Sequence, residues 1–348
     1  MTTTFHSFHC IIPPDILRNV AEKGTDEQRD WAYKAIEESS QLRGQREAIG
    51  TFAALAAVPA GGKRRTVFDA KNSTTLPGKL ARGENDPASK DKTVNEAFLG
   101  SGKTYDFFSK VYDRNSIDDR GMRLDSTVHY DIEYNNAFWN GRQMVYGDGD
   151  GQIFERFTIA LDVIAHELTH GVTQFEAGLV YRNQPGALNE HFSDVFGSLV
   201  KQYAKKQTAA KADWLIGKGL LAKAVKGVAL RSMKAPGTAY DDPLIGKDPQ
   251  PGHMKDFLKT TRDNGGVHIN SGIPNKAFYE AAIRIGGHAW EKAGRVWYIT
   301  LRDRLRSNSQ FQDCANLTSA VAAELYGAGG TEQKAINDAW DVVGIKVK

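Results

Sequence analysis

One stretch near the middle of the chain, residues 158–178, constrains the fold most. Its apolar residues recur with the period of an α-helix and nearly surround it before the first histidine, so we predict a helix buried between other elements. His166 and His170 lie four residues apart in this stretch, just over one helical turn. Both imidazoles therefore leave the same face and can bind one metal ion, and Glu167 lies beside them as a candidate base.

Two histidines are too few for a catalytic zinc ion, which takes three protein ligands and keeps one position for water. We predict a second amphipathic helix over about residues 189–205, and Glu190 and Asp194 share one of its faces. One carboxylate can bind the metal while the other accepts the free ring N–H of a ligand histidine. The sequence thus offers the parts of a zinc centre on two helices.

These two motifs, HELTH at residues 166–170 and GALNEHFSDVFG at 186–197, resemble those of the thermolysin family of zinc endopeptidases. The likeness runs from about Thr66 to the C-terminus, with further matching blocks at residues 69–71, 74–78, 134–141, 144–151 and 263–272. It implies an α+β fold of two lobes, β-rich in the N-terminal lobe and mainly α-helical in the C-terminal lobe, with the zinc helix between them.

The resemblance implies roles for the zinc-centre residues. His166, His170 and Glu190 would bind one Zn²⁺, and Asp194 would orient His166 from behind. Glu167 would be the general base that takes a proton from the attacking water and later passes it to the leaving amine.

Two other residues match positions that act on the peptide carbonyl, and a third matches a position that holds one of them. His268 and Tyr181 would donate hydrogen bonds to the negative charge that develops on its oxygen. Asp263, five residues before His268, would hold that histidine in place.

The resemblance also implies a groove in which an extended substrate pairs with an edge strand. The matching residues are Asn136, Ala137 and Trp139 for the strand, Arg231 for a substrate carbonyl, and Phe154, Phe157, Val163 and Leu230 for an apolar pocket. This pocket implies cleavage before Leu, Ile, Val or Phe.

The chain departs from the family pattern at a double calcium site. Asp162 and Asp213 are present, but the other corresponding positions hold Lys201, Leu215 and Lys218. Two lysines in place of carboxylates would repel a divalent cation, so we expect this site to be absent.

Residues 1–50 resemble the short propeptide of the protealysin-like branch of the family. We expect this segment to inhibit the enzyme until a cut between about Gln41 and Phe52, with the stiff Pro13-Pro14 pair lying in the substrate groove. Cys10 has two possible roles: a small buried hydrophobe, which we favour, or a thiolate that reaches the zinc. We assign residues 51–178, including the HELTH helix, to the N-terminal catalytic lobe and residues 179–348 to the helical lobe.

The composition limits the kinds of binding partner and the cellular locations that we expect. The net charge of +3 is too small to indicate binding of nucleic acid, and we see no apolar run long enough for a membrane span. The first residues lack the basic and apolar regions of a signal peptide. We therefore expect a cytoplasmic protein, or one secreted by a route without such a peptide.

The sequence as a whole predicts a zinc-dependent neutral endopeptidase, made as a precursor, with protein and peptide substrates and its own propeptide as inhibitor. One alternative is an enzyme of the same fold that removes N-terminal residues, but we find no Gly-Ala-Met-Glu-Asn-like stretch to bind an amine. The other is a non-enzymatic binding protein on a metalloprotease scaffold, which the intact Glu167, His268 and Tyr181 argue against.

Overall fold

The computed structural model describes residues 9–36 and 62–348. The cut that we predict between Gln41 and Phe52 lies outside these residues. The N-terminal segment contributes a short strand, β1 (His9–Cys10), then helix α1 (Pro14–Lys23), and a second helix, α2, described over residues 26–36. Helix α1 is amphipathic, and its buried residues Ile16, Leu17, Val20 and Ala21 form one stripe.

A six-stranded sheet takes its strands from the N-terminal segment and from residues 65–146. Strand β1 belongs to this sheet. The other five strands are β2 (Arg65–Ser73), β3 (Lys79–Arg82), β4 (Leu124–Tyr130), β5 (Ala137–Trp139) and β6 (Met144–Tyr146). The order across the sheet is β1-β5-β6-β4-β2-β3. The N-terminal segment therefore covers the outer side of β5, which would otherwise be the edge of the sheet.

One long helix, α3 (Lys92–Tyr112), packs on this sheet. Gly100 and Gly102 lie inside this helix at close contacts. A Cβ atom on Gly100 would lie 2.4 Å from Ile164 Cδ1, and one on Gly102 would lie 2.3 Å from Arg65 Nη1. These glycines therefore serve packing and not chain reversal.

The second half of the chain is mainly helical. Its helices are α4 (Leu161–Phe175), α5 (Asn183–Ala204), α6 (Asp263–Asn270), α7 (Gly272–Ile285), α8 (Ala293–Ile299), α9 (Phe311–Tyr326) and α10 (Thr331–Val342). Two short hairpins complete it, formed by β7 (Leu215–Ile216) with β8 (Arg231–Ser232) and by β9 (Asp241–Asp242) with β10 (Gly246–Lys247). A π-helical turn, Thr300–Arg304, follows α8.

The helix pair α4 and α5 occupies the centre of the molecule. Helix α5 begins at Asn183, about six residues earlier than the predicted start near residue 189. One continuous apolar cluster joins side chains of α1, the sheet and both central helices, including Ile16, Val163 and Val195, which are all fully buried. The described part of the N-terminal segment is thus packed on the rest of the chain. The two boundaries between the three predicted segments stay predictions.

None of the helices in the described ranges has both the length and the apolar character needed to cross a membrane.

Candidate active site

Helix α4 presents His166 and His170 side by side, both fully buried. His166 Nδ1 lies 2.8 Å from Asp194 Oδ1, and His170 Nδ1 lies 2.8 Å from Asn189 Oδ1. Both partners are acceptors, so each Nδ1 carries the ring proton and each Nε2 presents a lone pair.

These two lone pairs converge on a third acceptor from α5. The Nε2 atoms of His166 and His170 are 3.0 Å apart, and the Glu190 carboxylate lies 3.5 and 3.4 Å from them. Within the part of the chain that the structure describes, the buried Glu190 Oε2 has no hydrogen-bond donor. Acceptors packed this closely repel one another unless a cation lies among them. Two imidazole nitrogens and one carboxylate fit zinc, with a position left for water.

Asp194 lies directly behind His166 and is saturated with donors. Its Oδ1 accepts from His166 Nδ1 and from Arg231 Nη2, each at 2.8 Å, and its Oδ2 accepts from Arg231 Nε at 2.9 Å and Asn275 Nδ2 at 2.8 Å. Burial by itself would raise the pKa of Asp194, but the Arg231 charge and the His166 hydrogen bond hold it well below its usual range. Asp194 therefore remains a carboxylate that fixes two neighbours at once.

Glu167 is buried between the metal centre and the sheet. Its Oε2 accepts the backbone N–H of Trp139 on β5 at 3.1 Å. The ligand atoms that lie within 4.8 Å of one another belong to His166, His170 and Glu190, so Glu167 stands beside that group and not in it. This is the position expected of a base.

His268 reaches the centre from a left-handed turn at the start of α6. Asn264, Gly265 and Gly266 all have positive φ, which bends the chain so that Asp263 accepts from both the backbone N–H and Nδ1 of His268, at 2.8 and 2.6 Å. Burial lowers the pKa of His268, but the charges of Glu190 and Asp263 raise it to about 9. A bound cation would offset the contribution of Glu190.

Tyr181 lies beside Glu190 and His268. Its hydroxyl donates to Glu190 Oε1 and lies 3.1 Å from His268 Nε2. Burial, and then the Glu190 charge, raise the pKa of Tyr181 well above its usual value, so it stays protonated and able to donate.

The N-terminal segment lies in the groove in front of this centre. Strand β1 pairs antiparallel with β5, with His9 opposite Trp139 and Cys10 opposite Phe138. The Cys10 carbonyl oxygen lies 3.0 Å from His268 Nε2, and the next carbonyl, of Ile11, accepts from an Arg231 N–H at 3.1 Å.

The following backbone groups also find partners on β5 and just before it. Ile11 donates its N–H to Ala137 O and Ile12 donates to Asn136 Oδ1, both at 3.3 Å. The Ile11 side chain is fully buried in the apolar cluster that also contains the four expected pocket residues, Phe154, Phe157, Val163 and Leu230. The three expected strand residues and Arg231 thus contact one extended stretch of chain, and the four expected pocket residues belong to the same large cluster as Ile11.

The structure corrects our expectation for the two prolines. Residues Cys10 to Ile12 contact the groove, whereas Pro13 caps α1 and Pro14 is its first residue. A proline at the first helical position loses no hydrogen bond, because that N–H has no partner within the helix. The Cys10 side chain belongs to an apolar cluster with Tyr130, Phe138 and other residues, which supports the hydrophobic role that we favoured.

Models of two domains match this chain along most of its length. The model described as thermolysin metallopeptidase, catalytic domain, matches residues 56–174, and the model of its alpha-helical domain matches residues 177–345. The chain belongs to the thermolysin family of metallopeptidases. It is accordingly a zinc endopeptidase, as the sequence predicted.

Two relatives of this thermolysin-family chain are similar over nearly their whole length. An extracellular metalloprotease of Pectobacterium carotovorum subsp. carotovorum is 52% identical over 97% of this chain and 96% of its own, and the protease PrtS of Photorhabdus sp. (strain Az29) is 49% identical over 99% and 94%. A solved structure, the precursor of protealysin, a metalloproteinase from Serratia proteamaculans, superposes with a TM-score of 0.88 at 52% identity, covering 97% and 99% of the two chains.

Several residues around this thermolysin-family centre escaped sequence reasoning. Asn189 holds His170, the Ser193 hydroxyl lies 2.9 Å from the same Nδ1 atom, and Asn275 holds Asp194. Asn189 and Ser193 lie in the motif that supplies Glu190, which was the available signal. Asn275 lies on another helix, and nothing in its local sequence separates it from a solvated asparagine.

Proposed function

We propose that this zinc endopeptidase is made as a precursor and uses Glu167 as base, with His268 and Tyr181 as donors to the reacting carbonyl. The observation that carries the proposal is the convergence of His166, His170 and Glu190 on one point, with Glu167 beside it. When bound there, zinc would polarise a peptide carbonyl and lower the pKa of a water to about 7.

The residues of the chain then divide the remaining work. Glu167 takes a proton from the attacking water and delivers it to the leaving amine. His268, held by Asp263, and the protonated Tyr181 face the carbonyl position and stabilise its developing charge. Asp194 keeps the His166 lone pair aimed at the metal position.

The N-terminal segment supports a substrate direction and preference. Because the Cys10 carbonyl meets His268 and the Ile11 carbonyl meets Arg231, the Cys10–Ile11 peptide bond occupies the place of a bond to be cut. The residue after that bond is a fully buried isoleucine. We therefore assign the enzyme to peptide bonds that precede bulky apolar residues.

The same contacts support inhibition by residues 1–50 until they are cut off. A substrate would need the hydrogen-bonding groups on and just before β5 that His9 to Ile12 already use. Helix α1 adds contacts away from the groove, where Asn19 Nδ2 donates to Ile245 O at 3.1 Å. A tethered segment of this kind competes at a high effective concentration.

The double calcium site is, in our proposal, replaced by the side chain of Lys201. Its ammonium group donates to Asp162 Oδ2 and Asp213 Oδ1, each at 2.9 Å, and to the carbonyl of Leu215. A positive charge from the chain thus lies among oxygens that would otherwise attract a cation. We further propose that the enzyme acts outside the cell, because its Pectobacterium relative is described as extracellular.

The function is tested by digesting casein with the processed enzyme, with and without a zinc chelator. We expect cleavage that the chelator abolishes and added zinc restores, with new N-termini at Leu, Ile, Val or Phe. A processed protein that leaves casein intact in the presence of zinc would favour the binding-protein alternative.

Inhibition is tested with a precursor whose linker between Gln41 and Phe52 resists cleavage. Its activity towards a short peptide is compared with that of the same protein after a controlled cut in that linker. We expect activity only after the cut, and equal activity before and after would rule out inhibition.

A further inference from the structure

A line of buried hydrogen bonds leads from the core to the metal centre. It begins at Trp297 on α8, whose indole Nε1 donates to His191 Nε2 on α5 at 2.8 Å. His191 Nδ1 lies 2.9 Å from Asn275 Oδ1 on α7, and Asn275 Nδ2 donates to Asp194 Oδ2 at 2.8 Å. All four side chains are buried, and none is more than 1% exposed.

The two ends of this line agree on the direction of every bond, because the indole N–H can only donate and the Asp194 carboxylate can only accept. An indole N–H can only donate, so His191 Nε2 must accept and its ring proton must sit on Nδ1. The Nδ1 proton needs an acceptor, which fixes Asn275 with Oδ1 towards His191 and Nδ2 towards Asp194. The Asn275 donor then faces the carboxylate in the only orientation that attracts it.

Asp194 in turn fixes the orientation of the His166 imidazole and the Arg231 guanidinium. Four N–H groups saturate its oxygens, and two of them come from Arg231, whose third contact is the Ile11 carbonyl in the groove. The remaining donors are Asn275 and His166. A fixed carboxylate therefore fixes both the His166 lone pair and the guanidinium that meets a peptide carbonyl.

We propose that Trp297, His191 and Asn275 are positioning residues that set, from the core, the orientation of Asp194 and hence of His166 and Arg231. This inference rests on the proposed function, because it assigns them to the metal and substrate sites of the peptidase. Without the Trp297 N–H, the buried His191 Nε2 loses its donor, and the attraction between Asn275 Nδ2 and the Asp194 carboxylate alone opposes a shift of the His191 proton to Nε2 and a turn of the Asn275 amide. Asn275 Oδ1 would then face the Asp194 carboxylate and repel it.

The competing explanation is that Trp297 serves the core alone, and Trp340 provides a matched control for it. Trp340 is also fully buried, stacks on Trp297 with a centroid separation of 6.3 Å, and donates its N–H to Thr318 Oγ1 at 2.9 Å. Replacing either tryptophan by phenylalanine removes the same volume and one buried N–H bond. Only one of the two bonds leads to Asp194.

The experiment compares Trp297→Phe, Trp340→Phe and Asn275→Asp in the full chain, each with a wild-type reference. The zinc dissociation constant is measured by competition with a colorimetric chelator. We expect it to rise about 10-fold or more in Trp297→Phe and Asn275→Asp, as for other residues behind metal ligands, and to change less than about 2-fold in Trp340→Phe. The Asn275→Asp substitution keeps the acceptor towards His191 but removes the donor towards Asp194.

Nitrogen NMR of the chain labelled with ¹⁵N-histidine gives a second readout that does not depend on zinc. We expect a proton on Nδ1 of His191 in the wild type and in Trp340→Phe, and a mixture of tautomers in Trp297→Phe. A wild-type proton on Nε2, equal zinc loss in the two tryptophan variants, or unchanged zinc affinity in Asn275→Asp would each overturn the proposal. A wild-type chain that binds no zinc would instead overturn the proposed function. The NMR measurement would still test whether Trp297 fixes the tautomer of His191.

Discussion

The two ends of the helix pair α4 and α5 each hold a group of buried hydrogen-bond acceptors, but the two groups differ in where their cation comes from. At one end, His166, His170 and Glu190 point lone pairs at one another, and none of them brings a positive charge. At the other end, Asp162 meets the ammonium group of Lys201. The same two helices therefore leave one cation position to an external ion and fill the other from the chain.

The difference follows from what each end must do. A catalytic metal needs an open coordination position, which a lysine side chain cannot supply. A structural cation only has to neutralise and bridge its ligands, and an ammonium with three donors does both. Burial lowers the pKa of Lys201, but Asp162 and Asp213 raise it above its usual value, so it stays charged.

The largest expected effect tests the catalytic end. Glu167→Ala should lower peptide cleavage by about 10²–10⁴-fold, because Glu167 transfers the protons. Zinc content should stay that of the wild type, because Glu167 lies outside the group of ligand atoms. The measurement is a peptide assay, after removal of the N-terminal segment by an external protease, together with metal analysis. An equally active variant would refute the assigned base, and a zinc-free one would make Glu167 a ligand.

The structural end is tested by removing its cation. Lys201→Met leaves the buried Asp162 without its positive partner and should lower the free energy of unfolding by about 3–5 kcal/mol, measured by urea denaturation. Lys201→Glu should be destabilised as well but should recover with calcium, by about 2.7 kcal/mol at 100 times its dissociation constant. Wild-type protein treated with a mild chelator is the control, and its melting temperature should not respond to calcium. A rise of many degrees at micromolar calcium would show a calcium site in the wild type.

A third substitution tests what fills the groove at the catalytic end. In the precursor with an uncuttable linker, Ile11→Asp places a charge where the wild-type side chain is fully buried. A loss of 1.4 kcal/mol of docking free energy lowers the equilibrium constant for docking of the segment about tenfold. Activity towards a short peptide should therefore rise by about tenfold or more. Ile11→Val, which keeps the apolar contact, should remain inhibited. If both variants remain inactive towards the peptide, the inhibitory contact lies elsewhere in the segment.

The smallest effect concerns a cation that the chain supplies but can lose. His129 lies between two carboxylates, with Nδ1 2.7 Å from Asp148 and Nε2 2.7 Å from Asp91. The hydrogen bond to Asp148 exceeds the opposing effect of burial and, with that to Asp91, raises the pKa of His129 to about 9. The stabilisation is complete below pH 6.5, the ordinary value, and is lost as the pH rises through 9.

Because these groups are partly exposed, we expect a stability change on the order of 1 kcal/mol. The measurement is urea unfolding of the Glu167→Ala protein from pH 6 to 10, with and without His129→Gln. The added substitution should flatten the slope between pH 6.5 and 9. Parallel curves for the two proteins would show that His129 contributes nothing to the stability in this pH range.

Sequence reasoning succeeded where the chemistry depends on local spacing. His166, Glu167 and His170 lie on one helix, and helix geometry alone brings the two imidazoles together. Reasoning from single residues was less successful for the N-terminal segment. The stiffness of Pro13-Pro14 suggested a groove ligand, but the structure uses the prolines to begin α1 and places Cys10 to Ile12 in the groove.

The sequence by itself determined the metal-binding helix and the family, because both depend on residue types at known spacings, and it supplied the prediction that Lys201 stands at a calcium position of the family. Only the tertiary structure decided that the Lys201 ammonium lies between Asp162 and Asp213, and that Trp297 leads through His191 and Asn275 to Asp194. Those contacts join residues 12 to 106 positions apart, on elements that meet only in the folded chain. Helical periodicity reports that a tryptophan is buried, and the direction of its N–H is set by the neighbours that folding brings to it.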